Sequence, residues 1–143
     1  MAPVCKVIKC SPDAVLPTKA HPTDAGFDVT VTRVIERDGP RALYGTGIKV
    51  AAPPGMYFTL NARSSLGKLG YMLANSVGII DESYRGEIML SLFKFDASKP
   101  DLPLPCRAGQ LVLCHTIAAT AEEVDVLDVT ERGEGGFGST NNK

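Results

Sequence analysis

Apolar and polar residues alternate in short bursts along this chain, and Gly, Pro and Asp cut the bursts apart. Phe27, Val29 and Val31 alternate with Asp28, Thr30 and Thr32, a period of two that puts the two sets on opposite faces of a strand. Comparable stretches, β-branched, aromatic or alternating, predict strands over 4–9, 27–32, 46–51, 56–61, 72–77, 87–95, 110–118 and 123–128. The breaks hold strong turn formers: Asp38-Gly39-Pro40, Pro53-Pro54-Gly55 and Lys99-Pro100-Asp101-Leu102-Pro103. One short helix is predicted over 64–69, opened by a serine cap and limited by Gly70. Many short strands with regular turns imply an all-β sandwich, jelly roll or barrel. From about residue 130 the strand pattern stops and a Gly-rich tail begins.

Length and charge narrow the function classes. A chain of 143 residues fits one domain that can bury a core without staples. Its net charge of -1 argues against general binding to nucleic acid or to a membrane surface, which needs a basic excess. There is no apolar run of membrane-spanning length and no signal-peptide pattern, so an intracellular location is expected. The four cysteines, Cys5, Cys10, Cys106 and Cys114, form no CxxC pair, which makes a zinc site improbable and reduced thiols the expectation. Cys5 and Cys114 lie in apolar stretches and read as small packing residues.

Four clusters carry candidate chemistry. The tail, Arg132 to Lys143, combines glycines with Arg132, Phe137, Ser139 and Thr140. Glycine lets backbone N–H groups converge on phosphate, arginine adds a bidentate contact, and the ring can stack on a base. The plainer alternative is a solvated tail, which composition alone favours. In Thr23-Asp24-Ala25-Gly26-Phe27-Asp28, Gly26 turns the chain into a strand and Asp28 points away from Phe27; a solvated aspartate is the commoner case. Ala62-Arg63-Ser64-Ser65-Leu66-Gly67 opens the predicted helix and suits either an anion site or simple capping by Ser64. The run from Asn75 to Glu87 reads as strand, tight turn, strand, with Asp81 at the bend as general base or as turn former. Asn75 suits reading a base edge, and Tyr84 offers a flat ring.

These clusters together resemble the trimeric dUTPases, whose five short motifs appear here in order. They are Ala25-Gly26-Phe27-Asp28-Val29; Arg63-Ser64-Ser65-Leu66; Gly78-Ile79-Ile80-Asp81 with Tyr84-Arg85-Gly86; Arg107-Ala108-Gly109-Gln110-Leu111; and Arg132 through Thr140. The resemblance covers nearly the whole chain. It implies a jelly-roll-type β-barrel over 1–129 and a flexible arm over 130–143 that closes over an active site. It also implies a homotrimer whose active sites each draw on all three subunits, and a cytoplasmic or nuclear enzyme, in the host cell if the gene is viral. The implied reaction is hydrolysis of dUTP to dUMP and pyrophosphate with Mg²⁺, lowering dUTP and supplying dUMP for dTMP synthesis.

By the same resemblance, Asp81 activates the water that attacks the α-phosphorus, and Asp28 holds Mg²⁺ through water. Arg63, Ser64 and Gln110 take the phosphate chain, and Ser65 is a further substrate-binding residue. Asn75, with backbone of Gly78 and Ile80, reads uracil from a hairpin, and Tyr84 under the sugar excludes a ribose 2′-OH. Arg132, Ser139 and Thr140 grip the terminal phosphate, Gly138 is a further substrate-binding residue of the arm, and Phe137 covers the base. Two departures stand out. The fourth motif commonly begins Gly-Asp-Arg but reads Pro105-Cys106-Arg107 here, and Asn141 replaces a frequent glycine. A dCTP deaminase of the same fold would need a glutamate where Ser91 stands, which argues against deamination. A dUTPase-like regulatory or structural binding protein is the remaining alternative; such proteins usually lose motif residues that this chain keeps.

Overall fold

The computed structural model describes residues 1–142; Lys143, the end of the expected arm, lies outside the described residues. Among the described residues, nine strands form two antiparallel sheets: β1 (Lys6–Lys9), β2 (Gly26–Val31), β3 (Arg33–Asp38), β4 (Arg41–Ala51), β5 (Met56–Ala62), β6 (Tyr71–Leu73), β7 (Gly78–Ile80), β8 (Glu87–Lys94) and β9 (Cys106–His115). One sheet runs β1-β4-β8-β6, with β3 also on β4; the other runs β2-β9-β5-β7. The all-β fold expected from the pattern is observed, and it is consistent with the jelly-roll-like form that the resemblance implies.

The core lies between the sheets. Ile88, Leu90 and Leu92 of β8 are buried at alternate positions, as are Val29 and Val31 of β2 and Phe58 and Leu60 of β5. Each such side chain contributes roughly 1.5–3 kcal/mol of burial. The period of two in these strands therefore fixes which face turns inward, and the alternate residues, Asp28 and Asn61 among them, fall on the other face.

Several predicted elements change. The pattern missed β3 and the first half of β4, a hairpin that turns at Gly39 (φ 58°). The 72–77 strand is replaced by β6, which pairs with β8, and a turn in which Ser76 N–H donates to Leu73 O at 3.2 Å. That turn carries the chain to the other sheet, where β7 pairs with β5, so the expected Asn75–Tyr84 hairpin of mutually paired strands does not form. The 64–69 helix is a 3₁₀ turn over Gly67–Leu69 without a side-chain cap; Ser64 caps nothing, and Gly70 at φ 84° ends the turn as expected. The last expected strands shift as well. β9 begins at Cys106 rather than residue 110, and 123–128 is not a strand. Cys5 packs on the core, but Cys106 does so where the pattern pointed to Cys114. Burial pushes both the Cys5 and Cys106 thiols up, against a weaker opposite pull from Lys19 and Arg63 respectively.

Candidate active site

Three adjacent strands assemble the first cluster. Asp28 of β2 lies opposite Gln110 of β9, and Gln110 lies opposite Asn61 of β5. Arg63 follows the end of β5, where its N–H donates to Ala108 O at 3.2 Å. Its guanidinium then reaches back across the sheet. Nε sits 3.0 Å from Asp28 Oδ1, and Nη1 donates to Arg107 O at 3.3 Å. Arg107 Nη1 lies 3.6 Å from Asp28 Oδ2, so each carboxylate oxygen faces one cation. Gln110 Nε2 donates to Ala62 O at 3.3 Å, and a Cβ at Gly26 would strike its amide oxygen. The carboxylate is largely buried while Arg107 is mostly exposed, with side-chain exposures of 18% and 59%. Ser64 and Ser65 follow Arg63 and are exposed. The result is a pair of cations around one shielded carboxylate, with two exposed hydroxyl residues next in the chain, a surface suited to a polyanion. Sequence reasoning placed Arg107 in the fourth motif but gave it no role in the site. Its signal was its place as the arginine retained in the altered fourth motif.

The second cluster follows β7. Asp81 is exposed and lines an open cleft of about 750 Å³ with Tyr57, Ile79, Glu82, Ser83, Arg85 and Thr116. The turn after it is firmly tied. Tyr84 N–H donates to Asp81 O at 3.0 Å, Arg85 Nη1 donates to Glu82 O at 2.6 Å, and Gly55 N–H donates to Glu82 Oε2 at 3.0 Å. Asn75 approaches Gly78 closely, its Nδ2 lying 3.6 Å from where a Cβ would stand. Ile80 is half-buried and pairs with Phe58.

The tail is a third, separate unit. Arg132 Nε donates to Gly135 O at 2.9 Å, Gly135 N–H donates to Arg132 O at 3.1 Å, and Ser139 N–H donates to Gly136 O at 3.1 Å. Phe137 is fully exposed at φ 51°, a left-handed backbone that non-glycine residues seldom adopt, and Gly138 follows at φ 87°. Ser139 and Thr140 begin a 3₁₀ turn over Ser139–Asn142. None of these residues lines the Asp81 cleft in the same chain.

The two rigid clusters are also apart. Asp81 shares its cleft with Tyr57 near the start of β5, and Arg63 lies six residues further along. At about 3.3 Å per residue that is roughly 20 Å between main chains, and about 13 Å between Tyr57 and Asn61, the register at which the Arg63 guanidinium meets Asp28. Within one chain, Asp28, Arg63 and Gln110 come together, and Asn75 joins Gly78, but Asp81 lies in the cleft with Arg85 and not with Arg63 or Arg107.

The chain is similar to known proteins over most of its length. The dUTPase family model matches residues 13–141. The chain is 40% identical to a deoxyuridine 5'-triphosphate nucleotidohydrolase of Corynebacterium jeikeium over 141 residues, covering 94% of this chain and 91% of that protein. It is also 40% identical to the protein of that name from Cutibacterium acnes, covering 98% and 93%. Among solved structures, the Staphylococcus bacteriophage 80alpha dUTPase with bound dUpNHpp superposes with a TM-score of 0.77 at 25% identity, covering 95% of this chain and 97% of that one. With the family model spanning most of its length and relatives at this level of identity, the chain belongs to the dUTPase family.

Proposed function

We propose that this chain hydrolyses dUTP to dUMP and pyrophosphate, by Mg²⁺-assisted, in-line attack of water on the α-phosphorus. The observation that carries the reading is the convergence of Arg63, Arg107 and Gln110 on Asp28 across three strands. Arg63 and Arg107, with the Ser64 and Ser65 hydroxyls, bind and neutralise the phosphate chain where charge develops in the transition state. Asp81 takes the proton of the attacking water, help worth roughly 10²–10⁴-fold. Asn75 and the backbone at Gly78 and Ile80 read uracil, and Tyr84 packs under the sugar.

The donor chemistry fits magnesium. Among the described residues no three His, Cys, Asp or Glu side chains converge as a metal cage. A single carboxylate, with lone pairs left beside its two arginine contacts, suits an ion held mainly by phosphates and water. Asp28 would hold Mg²⁺ through water, and the ion would neutralise phosphate charge.

The separation of Asp81 from Arg63 supports a site completed by other copies of the chain, as in a homotrimer. Residues 116–130 support it as well. They carry Ile117, Val126, Leu127 and Val129 at 80% exposure or more, an apolar surface that a neighbouring copy would cover. On this reading residues 1–129 form the barrel and 130–143 an arm. Arg132, Gly138, Ser139 and Thr140 grip the terminal phosphate on a neighbour's site, and Phe137 covers the base. The products would keep dUTP low and supply dUMP for dTMP synthesis.

The test is pyrophosphate release, with Mg²⁺, from dUTP, dCTP, dTTP and UTP side by side. Release from dUTP alone is expected. No release from dUTP, with the nucleotide still bound, overturns the reading.

A further inference from the structure

We propose that the Arg33–Glu87 ion pair is a positioning device for Tyr84, and through it for discrimination between deoxyribose and ribose. The inference rests on the dUTP-hydrolysing reading above and concerns residues outside the five motifs.

The pair is built with unusual completeness for a sheet edge. Arg33 Nη1 and Nη2 donate to Glu87 Oε1 and Oε2 at 2.7 Å each, a two-pronged contact with a carboxylate whose side chain is only 16% exposed. Glu87 Oε1 also accepts from Gly47 N–H at 2.7 Å. That N–H lies where the β4–β8 register slips, between Gly45 and Lys49, so the carboxylate takes the place of a missing ladder partner. Thr46 Oγ1 donates to Ile88 O at 2.6 Å on the next residue of β8. A Cβ at Gly45 would stand 2.6 Å from Arg33 Nη1, so the bulge and the guanidinium are fitted to each other. The first two residues of β8 are therefore pinned by side chains rather than by a regular ladder.

Tyr84 hangs on that pinned point. Its hydroxyl donates to the backbone carbonyl of Glu87 at 2.9 Å, and a Cβ at Gly86 would strike the same hydroxyl. Its N–H is held by Asp81 O at 3.0 Å. The ring is thus fixed at one end by the Asp81 turn and at the other by the main chain of Glu87. A ring that excludes one hydroxyl group works only if it cannot retreat by about an ångström. Arg33 and Glu87 supply that resistance without touching substrate.

The experiment compares wild type, Glu87→Gln, Arg33→Lys and Tyr84→Phe. For each, kcat/KM is measured for dUTP and for UTP, with amide hydrogen exchange of residues 82–88 in the nucleotide-free protein. In all three variants the preference for dUTP should fall about tenfold or more, the scale on which a pocket loses a small steric distinction. Exchange over 82–88 should quicken in Glu87→Gln and Arg33→Lys, and Glu87→Gln combined with Tyr84→Phe should lose little more than either alone. An unchanged dUTP:UTP ratio in a folded Glu87→Gln or Arg33→Lys protein overturns the proposal, even if kcat or stability falls. If one of these variants does not fold, the other and Tyr84→Phe decide. Unchanged exchange overturns the bracing whether or not the protein hydrolyses dUTP. A wild type that releases no pyrophosphate refutes the functional reading instead, and exchange then judges the brace alone.

Discussion

Arg63 reaches Asp28 with Nε at 3.0 Å, joining the turn after β5 to the middle of β2 by a charge-assisted contact. Asp28→Asn keeps the shape of the side chain and removes the charge that both Arg63 and Arg107 face. The expected outcome is a folded protein in which the Mg²⁺ concentration for half-maximal turnover rises about tenfold or more. A magnesium titration of initial rates checks it; an unchanged requirement would separate Asp28 from the metal.

Asp81→Asn tests the base. The turn that holds Asp81 uses its main chain, so the substitution leaves the turn's hydrogen bonds in place. Turnover should fall roughly 10²–10⁴-fold. Affinity for dUTP, read by titration calorimetry, should stay near that of the wild type. Parallel loss of binding would assign Asp81 to substrate positioning.

Removing residues 132–143 should cut turnover severely while leaving the thermal midpoint within a few degrees, since Phe137 is fully exposed and the described bonds of this stretch are local. Differential scanning calorimetry and steady-state rates on the same preparation give both numbers. A truncated protein of full activity would end the lid assignment.

Acid should weaken the Arg33–Glu87 pair. The hydrogen bond from Arg33 holds the Glu87 carboxyl below the usual glutamate range, despite burial acting the other way. The unfolded chain therefore binds the proton more readily. The stabilisation is fully present above the ordinary glutamate pKa and is lost as pH falls through the lowered value. The gap in thermal midpoint between wild type and Glu87→Gln should be constant near neutrality and close in acid. A gap independent of pH would mean that the pair's charge contributes nothing.

Mixing tests the divided site. Asp81→Asn and Arg63→Met chains should each be nearly inactive alone. If Asp81 and Arg63 of one site come from different copies, random reassembly restores about a quarter of the sites. No recovery after verified subunit exchange would put both residues of a site in one chain.

How much of this could be read beforehand depends on where each residue's partner lies. The alternation Ile88, Leu90, Leu92 carries its own meaning, because both edges of β8 pair within the same chain and one face is buried while Met89 and Phe93 stay exposed on the other. Arg33–Asp38 was missed because adjacent Val34 and Ile35 break the alternation and the strand's outer half is charged and exposed. The run 123–128 has a strand's pattern, yet the single chain gives it no ladder. Ser64 looked like a cap because capping chemistry and phosphate binding use the same residue types; the 3₁₀ turn leaves its hydroxyl without a backbone donor to serve. Asp28 and Gln110 were recognisable by motif, but the register that sets them opposite each other, and the second arginine on Asp28, came only from the fold.

The stretch of β5 between Tyr57 and Arg63 has a consequence for how activity appears over time. On the proposed reading, a newly made chain holds Asp81 and the Arg63–Asp28 cluster at different registers of one sheet, and needs neighbouring copies to bring such groups onto one nucleotide. Catalysis should then lag behind synthesis and rise more steeply than protein concentration, and dilution should extinguish it before any chain unfolds.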